Sequence, residues 1–335
     1  MKAVIPTAGK GTRLYPHTHT KPKPMVRLAG KPILGHILSN FGSSDVEEIV
    51  LVVGGPMKNQ VIEYTQTEFG DRFECHFVEQ ESAEGLGHSI YQAEHVVDSE
   101  PMVIALGDML FRQEYGEFLA SHDSSDGADA SIGVKPVDEP QHYGVVEKRD
   151  DRVVSLVEKP DDPPSSLAIS GVYVVEDSRA LFDALGHLVD NDLRGAGDEF
   201  QLTDALARMI DQGAEMATFE VEDWYDCGRP ETLLEANRVL LDMRDSTPAH
   251  DAGDAVVVEP VDIGDDVDLQ GSVVGPHVSV DDGSTIRHSI VRNAIVGRDS
   301  TLTAVNLEES LVGDNATVTD SANNLNIGDN CTVDL

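Results

Sequence analysis

The chain has 335 residues, and 61 Asp and Glu against 24 Lys and Arg give it a formal net charge of −37. Surfaces that bind nucleic acid or anionic membranes need clustered Lys and Arg, so this balance argues against both kinds of partner. With 40% hydrophobic residues the chain can bury a core, and its length predicts two domains. The longest clean apolar run, Ile49–Val53, is far shorter than the roughly 20 residues that span a bilayer, and no signal-peptide pattern follows Met1. We therefore expect a soluble, cytoplasmic protein.

The charge is distributed unevenly along the chain. The first acidic residue is Asp45, so residues 1–44 carry +7 and residues 45–335 carry −44. Acidic residues recur throughout the second range, which is typical of proteins from salt-accumulating halophiles; an acidic interaction surface is the alternative. The N-terminal segment therefore keeps positive charge in a chain that otherwise avoids it.

The three cysteines, Cys75, Cys227 and Cys331, are odd in number and widely separated. Neither a disulfide framework nor a paired metal-ligand spacing is visible. We predict that all three are reduced and that the chain binds no zinc.

The first part of the chain alternates short β-branched runs with amphipathic stretches. The runs predict strands at Lys2–Thr7, Glu48–Val53, Phe73–Val78 and Met102–Leu106. Helical spacing of apolar residues predicts helices at Ile33–Phe41 and Gly85–Val97. Repeated βα units indicate a mostly parallel sheet with helices on both faces, and such sheets bind ligands beyond the carboxyl ends of their strands.

The next segment is rich in closely spaced strands. They are predicted at Ala130–Val134, Gly144–Glu147, Val153–Glu158 and Ala168–Val175. This spacing favours an antiparallel insertion or extension of the sheet. Helices predicted at Glu199–Gln212 and Pro230–Arg244 then close a first domain over residues 1–244.

From residue 245 the composition changes. A linker at Thr247–Asp254 precedes pairs of an aliphatic residue and Gly, which are Ile263-Gly264, Val274-Gly275, Val296-Gly297, Val312-Gly313 and Ile327-Gly328. The glycines of these pairs are on average 16 residues apart. That spacing predicts a parallel β-helix over residues 245–335, in which each coil buries its aliphatic side chains by stacking; an irregular acidic tail is the alternative.

The segment after the first strand is built to approach phosphate. It reads Ala8-Gly9-Lys10-Gly11-Thr12-Arg13-Leu14, and Lys21-Pro22-Lys23-Pro24-Met25 follows about ten residues later. Glycines at a strand end let backbone N–H groups surround phosphate oxygens, and nearby cations neutralise them. A dinucleotide fingerprint fits poorly, since Leu14 replaces its third Gly, and a Walker-type loop is absent.

Together with Val26-Arg27-Leu28-Ala29-Gly30-Lys31-Pro32-Ile33, this segment resembles the signature of the sugar-1-phosphate nucleotidyltransferases, or NDP-sugar pyrophosphorylases. Within that family it is most similar to the glucose-1-phosphate thymidylyl- and uridylyltransferases. The resemblance covers residues 1–244, and the remainder looks like the left-handed β-helix of many relatives. It implies an α/β fold, with a Rossmann-like, mostly parallel sheet followed by a left-handed parallel β-helix.

The resemblance implies a set of nucleotide-binding residues. They are Ala8, Gly9, Lys10, Gly11 and Thr12 at the phosphates and Gln80 and Gly85 at the base. In this family a sugar phosphate oxygen attacks the α-phosphorus and pyrophosphate leaves, so negative charge grows on the surrounding oxygens. Cations stabilise that transition state, and we expect Arg13 and Lys23 to be catalytic.

The resemblance also implies a metal site and a sugar-phosphate site. Asp108 and Asp226 are expected to bind Mg²⁺, a hard ion that prefers carboxylate and phosphate oxygens. The expected sugar-phosphate ligands are Tyr143, Gly144, Glu158, Lys159 and Val172, and Glu199 resembles a further sugar contact. No general base is needed, because the attacking sugar phosphate is already an anion at neutral pH.

These features predict an enzyme that condenses a nucleoside triphosphate, with dTTP slightly ahead of UTP, and glucose-1-phosphate. Its partners would be these small molecules, and we expect a homo-oligomer. A mannose-1-phosphate guanylyltransferase and a bifunctional UDP-N-acetylglucosamine pyrophosphorylase and acetyltransferase are alternatives. A non-catalytic regulatory or oligomerisation subunit is an alternative from another class.

Overall fold

The computed structural model describes residues 1–125, 127–149, 152–244 and 253–320, which form two compact units. The first unit comprises Met1–Arg27 and Lys31–Leu233, and the second comprises Leu28–Gly30 and the described part of Leu234–Leu335. The domain limit at residue 244 stays a prediction. Residues 247–252 of the predicted linker, the pair Ile327-Gly328 and Cys331 lie outside the described residues.

The first unit is an α/β fold. The strands of residues 1–233, in chain order, are β1 (Lys2–Pro6), β2 (Arg27–Leu28), β3 (Lys31–Pro32), β4 (Glu48–Val53), β5 (Glu74–Glu79), β6 (Met102–Ala105), β7 (Met109–Phe111), β8 (Ala130–Pro136), β9 (Gly144–Arg149), β10 (Arg152–Glu158), β11 (Leu167–Val175), β12 (Met216–Glu220) and β13 (Trp224–Asp226). The α-helices of the chain are α1 (Ile33–Asn40), α2 (Lys58–Phe69), α3 (Leu86–Tyr91), α4 (Glu94–Val97), α5 (Tyr115–Asp123), α6 (Ser178–Asp190), α7 (Leu202–Asp211) and α8 (Pro230–Asp242).

Nine strands of the described residues form one mixed sheet around β1. Strands β4 and β6 flank β1 in parallel, and β5 extends the parallel part beyond β4. Strand β11 runs antiparallel to β6 and connects the parallel part to β8, β9, β10 and β12. The central strands are buried on both faces, as their continuous runs of Val, Ile and Ala require. The predicted Rossmann-like α/β class is confirmed.

The helices depart from prediction at α3 and α4. The sequence predicts one helix over Gly85–Val97, but the helix breaks at Gln92-Ala93, where the Ala93 N–H bonds the Ile90 carbonyl in a tighter turn at 2.9 Å. Three helices, α2, α5 and α6, were not predicted. None of the helices in the described part of the chain is long and apolar enough to cross a membrane.

The second unit contains short parallel strands. They are β14 (Val256–Val257), β15 (Val261–Ile263), β16 (Asp268–Gln270), β17 (Val273–Val274), β18 (Val278–Val280), β19 (Thr285–Arg287), β20 (Ile290–Val296), β21 (Thr301–Thr303), β22 (Asn306–Val312) and β23 (Thr317–Thr319). Each strand from β14 to β21 pairs in parallel with a strand one coil later, for example β16 with β19, β19 with β21 and β21 with β23. This repeated pairing is that of a parallel β-helix, and its inward side chains form a separate apolar core.

Buried serines satisfy the backbone where the coils turn. The hydroxyl of Ser272 accepts a hydrogen bond from the N–H of Ser289, 17 residues later, and the hydroxyl of Ser284 accepts from the N–H of Ser300, 16 residues later. Ser289 and Ser300 repeat the contact to the next coil. Since a buried unpaired N–H is costly, these ladders stabilise the corners and fix the coil length at 16 or 17 residues.

Candidate active site

A cavity of about 500 Å³ lies beyond the carboxyl ends of β1, β5 and β6. Its lining residues are Pro6, Thr7, Ala8, Gly9, Lys10, Gly11, Thr12, Arg13, Lys23, Pro24, Gln80, Ala83, Gly85, Leu86, Ser89, Leu106, Gly107, Asp108, Glu199 and Gly228. The position agrees with the rule that parallel sheets bind ligands past their strand ends. The cavity thus brings together every predicted phosphate- and base-binding residue, both predicted catalytic cations and one of the two predicted metal ligands.

The loop after β1 owes its shape to Gly11 and Leu14. Gly11 has φ +60°, a left-handed conformation that favours glycine, and a Cβ there would lie 3.0 Å from the Cβ of Lys23. Leu14 is fully buried and anchors the short helical turn Thr12–Leu14. The hydroxyl of Thr18 donates to the Gly11 carbonyl at 2.9 Å. The loop is therefore held against Lys23 while its polar residues face the cavity.

Two cations on this loop are free to meet a ligand. Lys10 and Arg13 are exposed and line the cavity. Within the described ranges neither forms an ion pair, although the chain is rich in carboxylates. Uncompensated positive charge beside backbone N–H groups suits a polyphosphate.

Lys23 lies deeper and is paired. Only 7% of the residue is exposed, and its ammonium group forms an ion pair with Asp108 and lies 3.9 Å from Oδ1 of Asp226. Burying a charge is costly unless a partner compensates it, so the two carboxylates stabilise the buried ammonium. The structure thus brings together the predicted catalytic lysine and both predicted metal ligands.

Strand pairing explains how Asp226 reaches Asp108 from more than a hundred residues away. Strand β13 runs antiparallel to β7, and Asp226 pairs with Met109, the residue after Asp108. The N–H of Cys227 donates to the Asp108 carbonyl at 2.9 Å and continues the contact. Cys227 is fully buried, and burial is the main cause that raises the pKa of its thiol. The thiol therefore stays protonated and packs rather than reacts.

The predicted base-reading residues lie in the loop between β5 and α3. Gln80 is 5% exposed, and its side-chain NH₂ lies 3.4 Å from the Gly85 carbonyl and 3.0 Å from Nδ1 of His88. Gly85 has φ +111°, and a Cβ there would lie 2.5 Å from the Phe200 carbonyl. Any other residue at position 85 would push away the backbone before α7, so glycine is required for this wall of the cavity.

The predicted sugar-phosphate residues lie on the antiparallel part of the sheet. The carboxylate of Glu158 accepts from the Thr203 hydroxyl at 2.7 Å and lies 3.1 Å from the Lys159 ammonium, which is more than half exposed. A Cβ on Gly144 would lie 2.9 Å from the same carboxylate, so glycine makes room for it. Glu158 is therefore fixed, whereas the Lys159 side chain is open to a ligand.

Two other members of that group have different surroundings. The ring of Tyr143 lies 5.5 Å from the ring of Trp224, two residues before Asp226. Val172 is fully buried and pairs with Ala105 in the sheet, so in this conformation its side chain packs in the core. Its neighbour Gly171 accepts a hydrogen bond from the N–H of Leu106, which lines the cavity.

Comparisons with known proteins decide the family. The family model described as nucleotidyl transferase matches residues 2–243, which is most of the chain. The chain belongs to the nucleotidyl transferase family. It is 31% identical to the low-salt glycan biosynthesis nucleotidyltransferase Agl11 of Haloferax volcanii, over 95% of this chain and 94% of that protein. It is 30% identical to a glucose-1-phosphate thymidylyltransferase of Streptomyces antibioticus, over 100% of this chain and 99% of that protein.

A solved structure supports the same assignment. A UDP-glucose pyrophosphorylase complexed with UDP-glucose superposes with a TM-score of 0.62 and 26% identity, over 72% of this chain and 99% of that chain. The resemblance to the sugar-1-phosphate nucleotidyltransferases is thereby confirmed.

This nucleotidyl transferase has cavity residues that sequence reasoning missed. Ser89 lines the cavity, and its buried hydroxyl has no hydrogen-bond partner among the described residues. Gly107 packs so closely on the end of β1 that a Cβ would lie 2.5 Å from the Pro6 carbonyl, and one on Gly228 would lie 3.1 Å from the Arg13 guanidinium. The signal for both glycines was their position in the sequence, since Gly107 directly precedes Asp108 and Gly228 lies two residues after Asp226.

The donor set at Lys23 fits a divalent cation of the nucleotidyl transferase. Both carboxylates approach one positive charge, and the side chains of Asp108 and Asp226 remain 34% and 31% exposed. Carboxylate oxygens with room for water and phosphate oxygens suit Mg²⁺.

A different group with metal-ligand chemistry lies at the opposite ends of the strands. Glu48, Glu74 and His76 hold their ligand atoms within 4.8 Å of one another. Their nearest cation is the ammonium of Lys2, 3.4 Å from Glu48. This group is a charge network away from the cavity rather than the predicted metal site.

Proposed function

We propose that this chain condenses a nucleoside triphosphate with glucose-1-phosphate to give an NDP-glucose and pyrophosphate, with dTTP preferred slightly over UTP. The observation that carries the proposal is the convergence of Lys23, Asp108 and Asp226 beside a cavity that also holds Lys10 and Arg13, two cations without an ion pair among the described residues. The name of the Streptomyces relative, which aligns with the whole chain, supports dTTP and glucose-1-phosphate. The solved UDP-glucose complex supports UTP as the second nucleotide.

In the proposed reaction an oxygen of the sugar phosphate attacks the α-phosphorus. One P–O bond forms, the bond from the α-phosphorus to the bridging oxygen breaks, and pyrophosphate leaves with that electron pair. The attacking oxygen carries no proton at neutral pH, so no base is needed. The residues of the chain therefore act by positioning and by charge.

The cations divide this work. Backbone N–H groups of the loop and the side chain of Lys10 would bind the triphosphate. Arg13 would stabilise the negative charge that develops on the leaving pyrophosphate. Lys23 is held by two carboxylates. It would lie close to the reacting phosphate and would need little reorganisation as charge grows there. Asp108 and Asp226 would hold a Mg²⁺ ion, which when bound neutralises charge on phosphate oxygens.

The acceptor substrate would bind through the antiparallel part of the sheet. Lys159 is exposed beside the fixed carboxylate of Glu158, so an ammonium group is available to the phosphate and a carboxylate to the sugar hydroxyls. Val172 would contact the sugar only after a local change, since it is buried. We further propose that the enzyme is a homo-oligomer. We also propose that it is adapted to high salt, because its net charge of −37 is screened there.

The test is pyrophosphate release in molar KCl with Mg²⁺, with dTTP, UTP and GTP each paired with glucose-1-phosphate, mannose-1-phosphate and glucosamine-1-phosphate. We expect the highest kcat/KM for dTTP with glucose-1-phosphate, followed by UTP. A preference for GTP with mannose-1-phosphate would overturn the nucleotide and sugar assignment. Lack of turnover with all nine pairs would support a regulatory subunit instead.

A further inference from the structure

The side chain of Gln80, the predicted base-reading residue, is linked to two further polar side chains. Gln80 contacts His88 in the first turn of α3, and His88 contacts Gln92, the residue after that helix. Gln80 is 5% exposed, whereas His88 and Gln92 are only partly buried. The three side chains form a chain of polar groups that leads from the cavity outwards.

The Gly85 carbonyl defines the orientation of the Gln80 amide. A carbonyl only accepts hydrogen bonds, so the Gln80 atom that faces it at 3.4 Å must be the NH₂ group. The same NH₂ group faces Nδ1 of His88 at 3.0 Å. Its oxygen, Oε1, is therefore the atom left for the cavity, and no donor among the described residues contacts it.

This orientation fixes the proton on His88. A neutral imidazole has one N–H and one bare nitrogen, so Nδ1 can accept from Gln80 only when the proton is on Nε2. The Gln92 NH₂ group lies 3.1 Å from Nε2 and 3.2 Å from the His88 carbonyl, so the Gln92 amide must turn to present its oxygen to the Nε2 proton. Gln80 and Gln92 cannot both donate to the ring, and burial decides between them. A misplaced NH₂ on buried Gln80 would lose its hydrogen bonds, whereas Gln92 reaches water.

We propose that His88 is a positioning residue that selects the group which Gln80 presents to the nucleobase. Its bare Nδ1 holds the NH₂ group inward, so that the cavity sees only the carbonyl oxygen of Gln80. This inference rests on the proposed function, in which Gln80 reads the base of the triphosphate. It makes the choice of base depend on a residue that does not itself contact the substrate.

The orientation of the Gln80 amide predicts which nucleobases the site accepts. A fixed acceptor pairs with a base that carries an N–H on its Watson–Crick edge, as uracil and thymine do at N3 and guanine does at N1. Cytosine presents a bare, accepting N3 at the same place, and two acceptors face each other unpaired. A site built around one fixed hydrogen bond rejects the wrong partner strongly, because a buried polar group is left unsatisfied. While His88 holds the Gln80 amide in this orientation, the site excludes cytosine. Once the amide turns and presents its NH₂ group to the cavity, the site accepts cytosine.

The experiment compares UTP with CTP in three variants of the full-length chain. His88→Leu keeps bulk at the position and removes the acceptor. His88→Asn returns an oxygen near the place of Nδ1. His95→Leu is the matched control, since His95 is exposed on α4. We measure kcat/KM for each nucleotide with glucose-1-phosphate, and the affinity of each nucleotide alone by calorimetry.

We expect His88→Leu to lower the ratio of kcat/KM for UTP to that for CTP by about tenfold, through the KM of UTP more than through kcat. His88→Asn should restore most of the ratio, and His95→Leu should not change it. Equal loss with both nucleotides, or no rescue by His88→Asn, would overturn the inference and leave a packing role. If the wild type shows no turnover, the proposed function fails, and the affinity ratio for UTP over CTP still decides the role of His88 by the same criteria.

Discussion

Cationic side chains at the two ends of the parallel strands have opposite environments. At the amino ends, Lys2 begins β1 and is 7% exposed. Its ammonium lies 3.4 Å from Glu48 and 3.2 Å from Glu100 and donates to the Val96 carbonyl at 2.8 Å. At the carboxyl ends, the cations of the phosphate loop are exposed and unpaired within the described residues.

The difference separates structural from functional charge. A buried ammonium must have partners, and the carboxylates around Lys2 make its desolvation tolerable. An exposed cation in a chain of net charge −37 would easily find a carboxylate, so its lack of one leaves it available to an anion from outside. Only three of the seven cations that precede Asp45 line the cavity, namely Lys10, Arg13 and Lys23. The positive N-terminal segment is thus a mixture of roles.

Lys23 combines both kinds of behaviour, since it is buried and paired like Lys2 yet lies in the cavity. We expect Lys23→Ala and Asp108→Ala each to lower kcat at least about a hundredfold, as does loss of one preorganised donor at an oxyanion. Steady-state pyrophosphate release measures this effect. Lys2→Met is the matched control from the other strand end, and it should lower the melting temperature while kcat is retained.

The comparison fails if Lys2→Met lowers kcat as much as Lys23→Ala does at the same folded fraction. It also fails if both cavity variants turn over at nearly the wild-type rate. Circular dichroism before each assay separates loss of chemistry from loss of fold.

The unpaired cations should give a smaller effect without any cost in stability. Arg13→Ala and Lys10→Ala should lower kcat/KM for the triphosphate about ten- to hundredfold, the range for a hydrogen bond to a charged group. Because neither side chain is paired in the described structure, the melting temperature should stay unchanged. A clear loss of stability in either variant would show that the charge has a structural partner and would blur the contrast with Lys2.

The residues of the phosphate loop themselves predicted that part of the site, whereas Gln80, Gly85 and Asp226 were implied by the resemblance to the family. The phosphate loop and Gln80 directly follow β1 and β5, and Gly85 directly precedes α3, so their place at the sheet edge follows from the βα order. Asp226 reaches the site through the pairing of the three-residue strands β7 and β13, which no periodicity reveals at that length. The burial of Val172 depends likewise on the pairing of β11 with β6.

Some signals were present in the sequence but unused. Helix α5 begins with a reciprocal cap between Glu114 and Glu117. Helix α6 is capped by the preceding Asp177, whose carboxylate accepts from the N–H of Ala180 at 3.0 Å. In the β-helix the loose Gly spacing hid a stricter repeat, because Ser272 and Ser289 stand one coil apart at buried corners. Serines at the coil period identify the register better than the glycines do.

The smallest expected effect is a pH dependence of stability that arises from Glu48, at the amino ends of the parallel strands. Partial burial raises the pKa of Glu48, but hydrogen bonds and charges from His76 and Lys2 outweigh it, so the pKa lies below the ordinary value of about 4.3. A carboxyl whose pKa is lowered by folding stabilises the fold above its unfolded pKa, and this contribution is lost as the pH falls through the folded value. Glu48→Gln should therefore be less stable than the wild type near neutral pH, and the difference should shrink below about pH 4. Chemical unfolding in high salt across this range measures it, with Glu74→Gln as the control, since that carboxylate is 72% exposed and lies 3.7 Å from His76. If the stability difference between Glu48→Gln and the wild type stayed constant down to pH 3, the network around Glu48 would add no pH-linked stability. The kcat of Glu48→Gln should equal the wild-type value, because this network lies away from the cavity.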